Sequence, residues 1–351
     1  MRRRRALLLA GVAVLVAVAA VAVLRPGTPD RPERLVAAAW LPVWDQRAPA
    51  SLDSALDEGG LTEVSPTWAT VRSDGTLALT PPPAEVADRL AAAGDGVVVI
   101  PAVQNFADGQ WQGEAVARVL ADPVAAADHR RALVDVALAN GWDGVDVDYE
   151  ALPPTAGPSF TQFLAALRDD LHAHDLLLTV AVPARDAEET PGALAYSYQL
   201  IGQIADQVRV MTYDHSWSSS PPGPVAPTDW VEDVVAYAVE RVPRHKLMLG
   251  VATYGYDWVA DRGSNLQATD AVALAERVGA EPRWDPAADA WTFGYADAGR
   301  EHTVWFEDAR SLAAKRDVAV ASGLRGIAIW QLGGEDPHVW TSVAEATRGE
   351  R

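Results

Sequence analysis

The sequence predicts an α/β fold, namely a (β/α)8 TIM barrel with a small α+β insertion after strand 7, preceded by an N-terminal transmembrane or signal segment. Short apolar runs alternate along the chain with longer stretches of helical periodicity. This alternation is typical of parallel strands joined by helical crossovers, and eight repeats favour a closed barrel over an open sheet. An apolar share of 49 % in 351 residues is enough for one large core.

Eight apolar runs are predicted strands, because a short continuous apolar run is typical of a strand that is buried on both faces. They span 35–40, 60–68, 96–103, 144–150, 176–184, 208–214, 246–258 and 326–332. Helices are predicted between them at 83–94, 122–141, 159–174, 197–206, 229–242 and 306–323. Asp122 and Pro123 favour the start of the second of these helices, as its N-cap and its first helical residue.

The connection after the seventh strand is long and is predicted to carry its own structure. It contains a predicted helix at 269–279 and two aromatic segments, WTFGYAD and REHTVWF, with a turn at DAGR between them. Two such segments around a turn favour a β-hairpin. Because long structureless loops are uncommon inside a domain, we predict an inserted α+β element over about 259–305, within a barrel domain of 35–345.

The N-terminus indicates export. Four arginines precede 19 uncharged residues, Ala6 to Leu24, a length that can cross a bilayer once. The arginines are expected to stay in the cytoplasm, so the rest of the chain lies outside it. Residues 1–25 are therefore predicted to be a signal anchor, which makes the membrane a partner, or a cleaved signal peptide of a secreted protein. The Pro-rich residues 26–34 are predicted to be a linker.

Composition excludes several classes of function. The chain has no cysteine, so disulfides, thiol nucleophiles and thiolate metal sites are excluded. Residues 1–34 contain seven arginines and two acids, which leaves 22 basic and 46 acidic side chains, a formal charge of −24, in the remainder. A surface this negative repels nucleic acid and anionic lipid headgroups. No nucleic-acid partner is therefore expected, and we expect a monomer.

Three acids occupy alternate positions at the end of the predicted fourth strand, in GWDGVDVDYEAL. Asp146, Asp148 and Glu150 share one face of this strand, which in a barrel points inward. Ligands of parallel barrels meet the carboxyl ends of the strands, so Glu150 is expected at the rim with the other two acids beneath it. Carboxylates held this close repel each other, and a strand with a purely structural role has no reason to carry them.

Two uses of these carboxyls compete. Carboxylate ligands suit magnesium or calcium, but three ligands in one column do not surround an ion and no histidine lies nearby, so neither a metal nor a cofactor is expected. General acid catalysis fits better, because a proton shared by Asp146 and Asp148 relieves their repulsion while the residual charge raises the pKa of Glu150. A carboxyl that is still protonated near neutral pH can protonate a glycosidic oxygen.

Four acids in and before this strand resemble the signature of glycoside hydrolase family 18, the chitinase-like barrels; they are Asp143, Asp146, Asp148 and Glu150. VMTYDHSW at 210–217 is similar to the end of that family's sixth strand, and GIAIWQLGGEDP at 326–337 is similar to its eighth strand. That family also carries a small α+β element after strand seven. The longer run 211–231 resembles the branch with bacterial spore cortex-lytic and related peptidoglycan N-acetylglucosaminidases. The resemblance covers about 36–341.

The resemblance implies a substrate-assisted retaining mechanism, in which the acetamido oxygen of the substrate attacks the anomeric carbon. It implies that Glu150 is the acid and later the base that activates water. By the same resemblance, Asp148 orients the acetamido group, Asp146 shares a proton with Asp148, and Tyr213 donates its hydroxyl to the acetamido oxygen.

The resemblance also implies substrate-binding residues. Asp214 would bind a sugar hydroxyl or tune Glu150, and Trp330 would form the floor beneath the sugar. Tryptophans near the predicted strand ends can stack on sugar rings or pack in the core; they are Trp40, Trp44, Trp68, Trp217 and Trp258. Of these, Trp217 and Trp44 are predicted to bind substrate. Asp143 is out of phase with the other acids, so it is predicted to be structural.

The sequence therefore predicts an extracytoplasmic hydrolase that cuts β-1,4 bonds after N-acetylglucosamine, with cell-wall glycan (peptidoglycan) preferred over chitin. Two alternatives stay open: a glycan-binding chitinase-like lectin that has lost catalysis, and an endo-N-acetylglucosaminidase that acts on N-linked glycans. Such lectins usually replace the acid at the position of Glu150, so its presence here favours the enzyme.

Overall fold

A curled, mostly parallel sheet organises residues 35–348, which are the residues that the computed structural model describes. The predicted signal segment (1–25) and linker (26–34) lie outside the described residues. Within residues 35–348, no helix has the length and apolar content needed to cross a membrane.

The strands of this region are β1 Val36–Leu41, β2 Glu63–Pro66, β3 Ala69–Val71, β4 Leu77–Leu79, β5 Val98–Val99, β6 Ala102–Gln104, β7 Phe106–Ala107, β8 Gln110–Trp111, β9 Gly144–Asp148, β10 Leu177–Pro183, β11 Gln207–Met211, β12 Leu247–Ala252, β13 Tyr254–Val259, β14 Arg262–Gln267, β15 Arg283–Asp285, β16 Ala290–Asp297, β17 Arg300–Phe306 and β18 Gly326–Trp330. The α-helices are α1 Ala48–Asp57, α2 Ala84–Ala93, α3 Gly113–Ala121, α4 Pro123–Asn140, α5 Gly157–His172, α6 Tyr198–Ile204, α7 Thr228–Val239, α8 Ala268–Val278, α9 Ala309–Ala321 and α10 Val339–Arg348. Short 3₁₀ helices lie at Gly94–Gly96, Pro154–Ala156 and Arg244–Lys246.

The central sheet has the strand order β4-β3-β6-β9-β10-β11-β12-β18-β1-β2-β5. Its pairs are parallel except for the β3–β4 hairpin. β5 and β6 are nearly consecutive in the chain but lie far apart in this order, so the sheet curls on itself. Pro101 separates them, and proline cannot donate a ladder hydrogen bond. Parallel pairing brings the carboxyl ends of β9, β11 and β18 to one edge of the sheet.

The predicted seventh strand, 246–258, is two strands in the structure. β12 pairs with β11 and β18 in the central sheet, whereas β13 pairs with β14 and β17 in a second sheet. The chain changes sheet at Thr253, where the N–H donates to the carbonyl of Trp330 at 3.0 Å. One continuous strand is therefore a wrong prediction, because a mostly apolar run does not reveal which sheet each half joins.

The second sheet is antiparallel, with the order β14-β13-β17-β16-β15. β16 and β17 form a hairpin at the two aromatic segments, and Ala298 and Gly299 in its turn have φ of 46° and 75°. Two positive φ values suit the twist of a two-residue hairpin loop. α8 packs on one face of this sheet, against Phe293, Val304 and Phe306.

The local signals at α4 behave as predicted. The side chain of Asp122 accepts hydrogen bonds from the N–H groups of Val124 and Ala125, and the helix ends at Gly141 in the left-handed region. Elements without a strong periodic signal were not predicted; they are α1, α3, α10, the hairpins β3–β4 and β7–β8, and the strands β14 and β15. The β7–β8 hairpin matters most, because it reaches the candidate site.

Candidate active site

The three acids on alternate positions, which we call the acid column (Asp146, Asp148 and Glu150), stand at the end of β9. Asp146 is fully buried and Asp148 is 3 % exposed, so both point into the sheet's interior. β9 ends at Asp148 rather than at Glu150 as predicted. The side chain of Asn105 explains this end: it accepts from the N–H of Glu150 at 2.8 Å and donates to its carbonyl at 2.9 Å, in place of a neighbouring strand.

The turn after Glu150 is fixed by close packing. Ala151 has φ of 55°, a left-handed conformation that alanine rarely adopts. Its carbonyl lies where a Cβ at Gly113 would be, at a separation of 1.9 Å. Because only glycine leaves room there, the first residue of α3 supports the backbone that directs Glu150 into the cleft.

Glu150 opens into a cleft of about 290 Å³ at the carboxyl edge of the central sheet. Its lining residues are Trp40, Trp111, Asp148, Glu150, Pro183, Ala184, Met211, Tyr213, Asp214 and Trp330. The structure thus brings Glu150, Tyr213 and Trp330 together, as predicted. Within residues 35–348 no side chain or backbone group hydrogen-bonds to the Glu150 carboxyl, so it is available to a ligand.

The carboxyls of the cleft favour their protonated forms. Burial, reinforced by the charges of Asp148 and Asp214, raises the pKa of Glu150 well above its ordinary value. Burial also raises the pKa of Asp148 to about 7, with Asp146 adding to the rise while the Gln104 hydrogen bond and the Arg209 cation oppose it. A carboxyl that keeps its proton near neutral pH is suited to general acid catalysis.

The raised pKa of Asp148 predicts a pH-dependent stability. The folded protein binds this proton more tightly than the unfolded chain, so the free energy of unfolding falls as pH rises from about 4 to about 7 and then levels off. Asp148→Asn cannot ionise, so we expect it to exceed the wild type in stability by about 1–3 kcal/mol at pH 8 and by little at pH 4. Urea unfolding at both pH values measures this, and a variant that is less stable at pH 8 contradicts it.

Asp146 has a different environment from the other two acids. It accepts hydrogen bonds from Trp40 Nε1 at 2.9 Å, Thr179 Oγ1 at 2.5 Å and Arg209 Nη1 at 3.0 Å. Asp148 Oδ2 accepts from Gln104 Nε2 at 2.8 Å, and its Oδ1 has no partner among the described residues. The shared proton that we predicted between the two aspartates therefore has no hydrogen bond in the structure.

Tyr213 and Asp214 follow β11, at the same edge of the sheet. Asp214 has φ of 58°, and its Oδ1 accepts from the hydroxyls of Tyr254 at 2.6 Å and Tyr256 at 3.0 Å. Both tyrosines belong to β13, so the second sheet helps to position Asp214. Burial raises the pKa of Tyr213, whose hydroxyl therefore remains a hydrogen-bond donor.

The predicted aromatic platforms fall into two groups. The ring centroid of Trp330 lies 6.4 Å from that of Trp44, which is 58 % exposed. Trp217 is 49 % exposed but does not line the cleft, and its carbonyl accepts from Trp258 Nε1 at 3.2 Å. Neither Trp44 nor Trp217 therefore lines the cleft, but Trp44 lies beside Trp330, which does.

Other tryptophans differ from their predicted rim positions. Trp40 and Trp258 are buried: Trp40 still lines the cleft, in edge contact with Trp330, whereas Trp258 lies in the second sheet. Trp111 lines the cleft, although it was not predicted to do so. The residue pair Asp108-Gly109 could have indicated the hairpin that carries Trp111, because Asp-Gly is a strong hairpin signal in a sequence. Both residues have positive φ in the turn between β7 and β8.

A larger cavity, of about 500 Å³, lies elsewhere, with Trp68, Trp142 and Asp143 among its lining residues. Most of its lining is apolar and it contains no member of the acid column. Asp143 Oδ2 accepts from the N–H of Val99 at 2.7 Å, which confirms its predicted structural role. The smaller cleft, which contains Asp148 and Glu150, is therefore the candidate active site. Within residues 35–348, no group of three or more His, Asp and Glu side chains is arranged to hold a metal ion.

An acid column at the carboxyl edge of a curled parallel sheet, in a cleft lined by indoles, is typical of a glycoside hydrolase. The profile of the family "Glycosyl hydrolases family 18" matches residues 59–335. The chain therefore belongs to glycosyl hydrolases family 18.

Relatives and solved structures agree with this assignment. The cortical fragment-lytic enzyme of Bacillus subtilis is 34 % identical over 222 residues, which are 61 % of this chain and 52 % of the relative. The chain thus spans about half the length of this relative. A chitinase from Chromobacterium violaceum has a TM-score of 0.83 at 32 % identity, covering 90 % of this chain and 100 % of that one. The spore cortex-lytic enzyme SleL of Bacillus cereus has a TM-score of 0.78 at 27 % identity, covering 89 % and 74 %.

Proposed function

We propose that this protein hydrolyses β-1,4 bonds after N-acetylglucosamine in a polysaccharide, with peptidoglycan glycan preferred over chitin and with retention of configuration. One observation carries the proposal. The free carboxyl of Glu150 lies in one cleft with Asp148, whose pKa is about 7, and with Tyr213 and Trp330. A protonated carboxyl beside a hydroxyl donor and an indole can hold a sugar and protonate its leaving oxygen.

The proposed reaction uses the substrate's own acetamide. Glu150 donates its proton to the glycosidic oxygen while the bond from that oxygen to the anomeric carbon breaks. The acetamido oxygen forms a bond to the same carbon and gives a cyclic oxazolinium ion. Asp148 Oδ1, which has no protein partner, accepts from the acetamido N–H, and Tyr213 donates to the acetamido oxygen. Glu150 then takes a proton from the water that opens the ring, which restores the acid.

Substrate binding is assigned to the indoles and to Asp214. Trp330 supplies the floor beneath the sugar at the cleavage site, and Trp44 extends this floor toward solvent. Asp214 has one carboxylate oxygen held by two phenols, so the other is available to a sugar hydroxyl. Trp217, outside the cleft, is proposed to contact a more distant part of a long glycan.

The preference for cell-wall glycan rests on the relatives. The names of the cortical fragment-lytic enzyme and the spore cortex-lytic enzyme refer to lysis of a cortex, whereas the Chromobacterium violaceum structure is named a chitinase. The lectin alternative is disfavoured by Glu150, since a binding protein has no use for a carboxyl with a raised pKa in its cleft. The endo-acting N-glycan hydrolase shares the mechanism and is distinguished by its products.

We further propose an exported protein that works as a monomer, held to the membrane by residues 1–25 or released from it. Four arginines before 19 uncharged residues support export.

We also propose that the central sheet forms a closed (β/α)8 barrel around the acid column. In support, the N–H of Ile100 donates to the carbonyl of Val64, and that of Asp146 donates to the carbonyl of Pro101.

Product analysis tests this function. The purified chain is incubated with peptidoglycan and, separately, with chitin oligomers, and the products are examined by mass spectrometry. We expect wall fragments that end in a reducing N-acetylglucosamine, with slower cleavage of chitin. Fragments that end in reducing N-acetylmuramic acid, or no cleavage of either polymer, contradict the proposal.

A further inference from the structure

The β7–β8 hairpin, at 106–111, is flanked by two residues that contact the turn after the acid column. Asn105 precedes the hairpin, and its fully buried side chain accepts from the N–H of Glu150 at 2.8 Å and donates to the carbonyl of Glu150 at 2.9 Å. Gly113 follows the hairpin, and the carbonyl of Ala151 occupies the place that a Cβ would take there. Both ends of one hairpin therefore support the backbone of Glu150 and Ala151.

The backbone of Glu150 has to orient its carboxyl. Within residues 35–348 no group hydrogen-bonds to this carboxyl, and β9 ends at Asp148, so the strand ladder does not extend to Glu150. The planar amide of Asn105 supplies the donor and the acceptor that a neighbouring strand would otherwise provide. Proton transfer depends steeply on this support, since a misplacement of about 1 Å can cost on the order of 10²-fold in rate.

Asn105 also closes the base of the hairpin. Its carbonyl accepts from the N–H of Gln112 at 2.8 Å, and Gln112 Nε2 donates to the carbonyl of Ala107 at 3.0 Å. On the hairpin, the rings of Phe106 and Trp111 meet edge to face with centroids 5.1 Å apart, and Trp111 lines the cleft. The backbone of Asn105 thus belongs to the wall of the cleft, while its side chain supports the acid.

We propose that Asn105 is a positioning residue for proton transfer, whose side chain orients Glu150 and whose backbone makes this orientation depend on the hairpin that carries Trp111. The inference rests on the proposed function, because it requires that Glu150 protonates a leaving oxygen. It adds that a glycan in contact with Trp111 stabilises the hairpin and, through Asn105, the acid. Asn105 itself is buried, does not line the cleft, and has both polar side-chain atoms bonded to Glu150.

The test compares a poor and a good leaving group on the same sugar. Phenyl and para-nitrophenyl glycosides of the N-acetylglucosamine dimer differ in the phenol that departs, and kcat/KM reports the step in which it departs. Nitrophenol leaves readily as an anion, whereas phenol needs the proton of Glu150. Asn105→Ala should therefore lower kcat/KM by roughly 10²-fold on the phenyl glycoside and by less than about threefold on the nitrophenyl glycoside.

Asn140→Ala is the matched control. The Asn140 amide also donates to a backbone carbonyl, that of Val136 at 2.8 Å, but it lies outside the cleft, so both glycosides should keep their wild-type rates. Equal losses on the two glycosides in Asn105→Ala overturn the proposal, because damage to the fold does not distinguish leaving groups. If Asn105→Ala does not fold, Asn105→Ser keeps a hydroxyl at this position and has to show the same inequality between the two glycosides.

A double-mutant cycle tests the link to the hairpin. Trp111→Ala removes the indole that lines the cleft and the edge contact with Phe106, so it should also lower kcat/KM on the phenyl glycoside. In the double variant with Asn105→Ala, the loss should be clearly smaller than the product of the two single losses, because both substitutions weaken the same support. Losses that multiply would show that Asn105 and Trp111 act independently, which overturns the role of the hairpin.

A readout without turnover separates this proposal from the proposed function. The N–H of Glu150 donates to the buried side chain of Asn105, so NMR should show slow hydrogen exchange of this amide in the wild type. Exchange should be at least about tenfold faster in Asn105→Ala. Equal exchange in the two proteins overturns the role of Asn105. A wild-type chain with the protected amide that cleaves neither glycosides nor peptidoglycan overturns the proposed function alone.

Discussion

Glu150→Gln is expected to lower kcat on N-acetylglucosamine glycan by about 10²–10⁴-fold, the usual contribution of a positioned general acid. The glutamine has nearly the same shape, and within residues 35–348 the Glu150 carboxyl has no hydrogen bond that the amide would lose. The backbone clamp by Asn105 also survives the change. Fold and glycan binding should therefore persist. Steady-state kinetics measure the loss, and calorimetric titration with a chitin oligomer measures binding.

The control for this variant comes from the same motif. Asp143→Asn makes the same chemical change at an acid that supports the backbone of Val99 and lies outside the cleft. It should lose about 1 kcal/mol of stability and keep its turnover. A Glu150→Gln variant that works at the wild-type rate would remove Glu150 from the reaction.

Asp148→Asn is expected to lower kcat by roughly 10²-fold or more while it raises stability at pH 8. The asparagine cannot become an anion, so it cannot balance the positive charge of the oxazolinium ion as that ion forms. The two effects have one cause, since the burial that raises the pKa of Asp148 destabilises its charged form in the empty cleft. Turnover and urea unfolding, measured at pH 8, test both signs.

The opposite signs make the second prediction specific. Damage to the fold would lower both turnover and stability, whereas the substitution of a catalytic anion lowers only turnover. An Asp148→Asn variant that is less stable and equally active would show that Asp148 supports the fold and takes no part in the reaction.

Much of the site followed from periodicity in the sequence. A period of two in GVDVDYE placed Asp146 and Asp148 on one buried face, and the structure confirms this. Tyr213 and Trp330 were expected beside Glu150 because the segments at 210–217 and 326–337 resemble strand ends of glycoside hydrolase family 18, and both line the cleft. The helix α4 followed from its cap residues, because capping is a local interaction.

The rest depended on contacts between residues that are distant in the chain. Arg209 is one charged residue in the apolar run VRVMTYD, and its partner Asp146 lies 63 positions earlier. No local pattern joins the two, so the sequence did not indicate this contact and predicted only that Asp146 shares a proton with Asp148. Tyr254 and Tyr256 were assigned to a barrel strand, although the chain leaves the central sheet at Thr253 and brings both hydroxyls to Asp214.

The central claim is that Glu150 acts together with the substrate's own acetamide. It is tested most directly by comparing kcat/KM on two matched oligosaccharides, one of N-acetylglucosamine and one of glucose, with the same linkage and length. Only the first carries the internal nucleophile, so the account predicts cleavage of the N-acetylated oligomer and no detectable cleavage of the other. Cleavage of both oligomers at similar rates would contradict it.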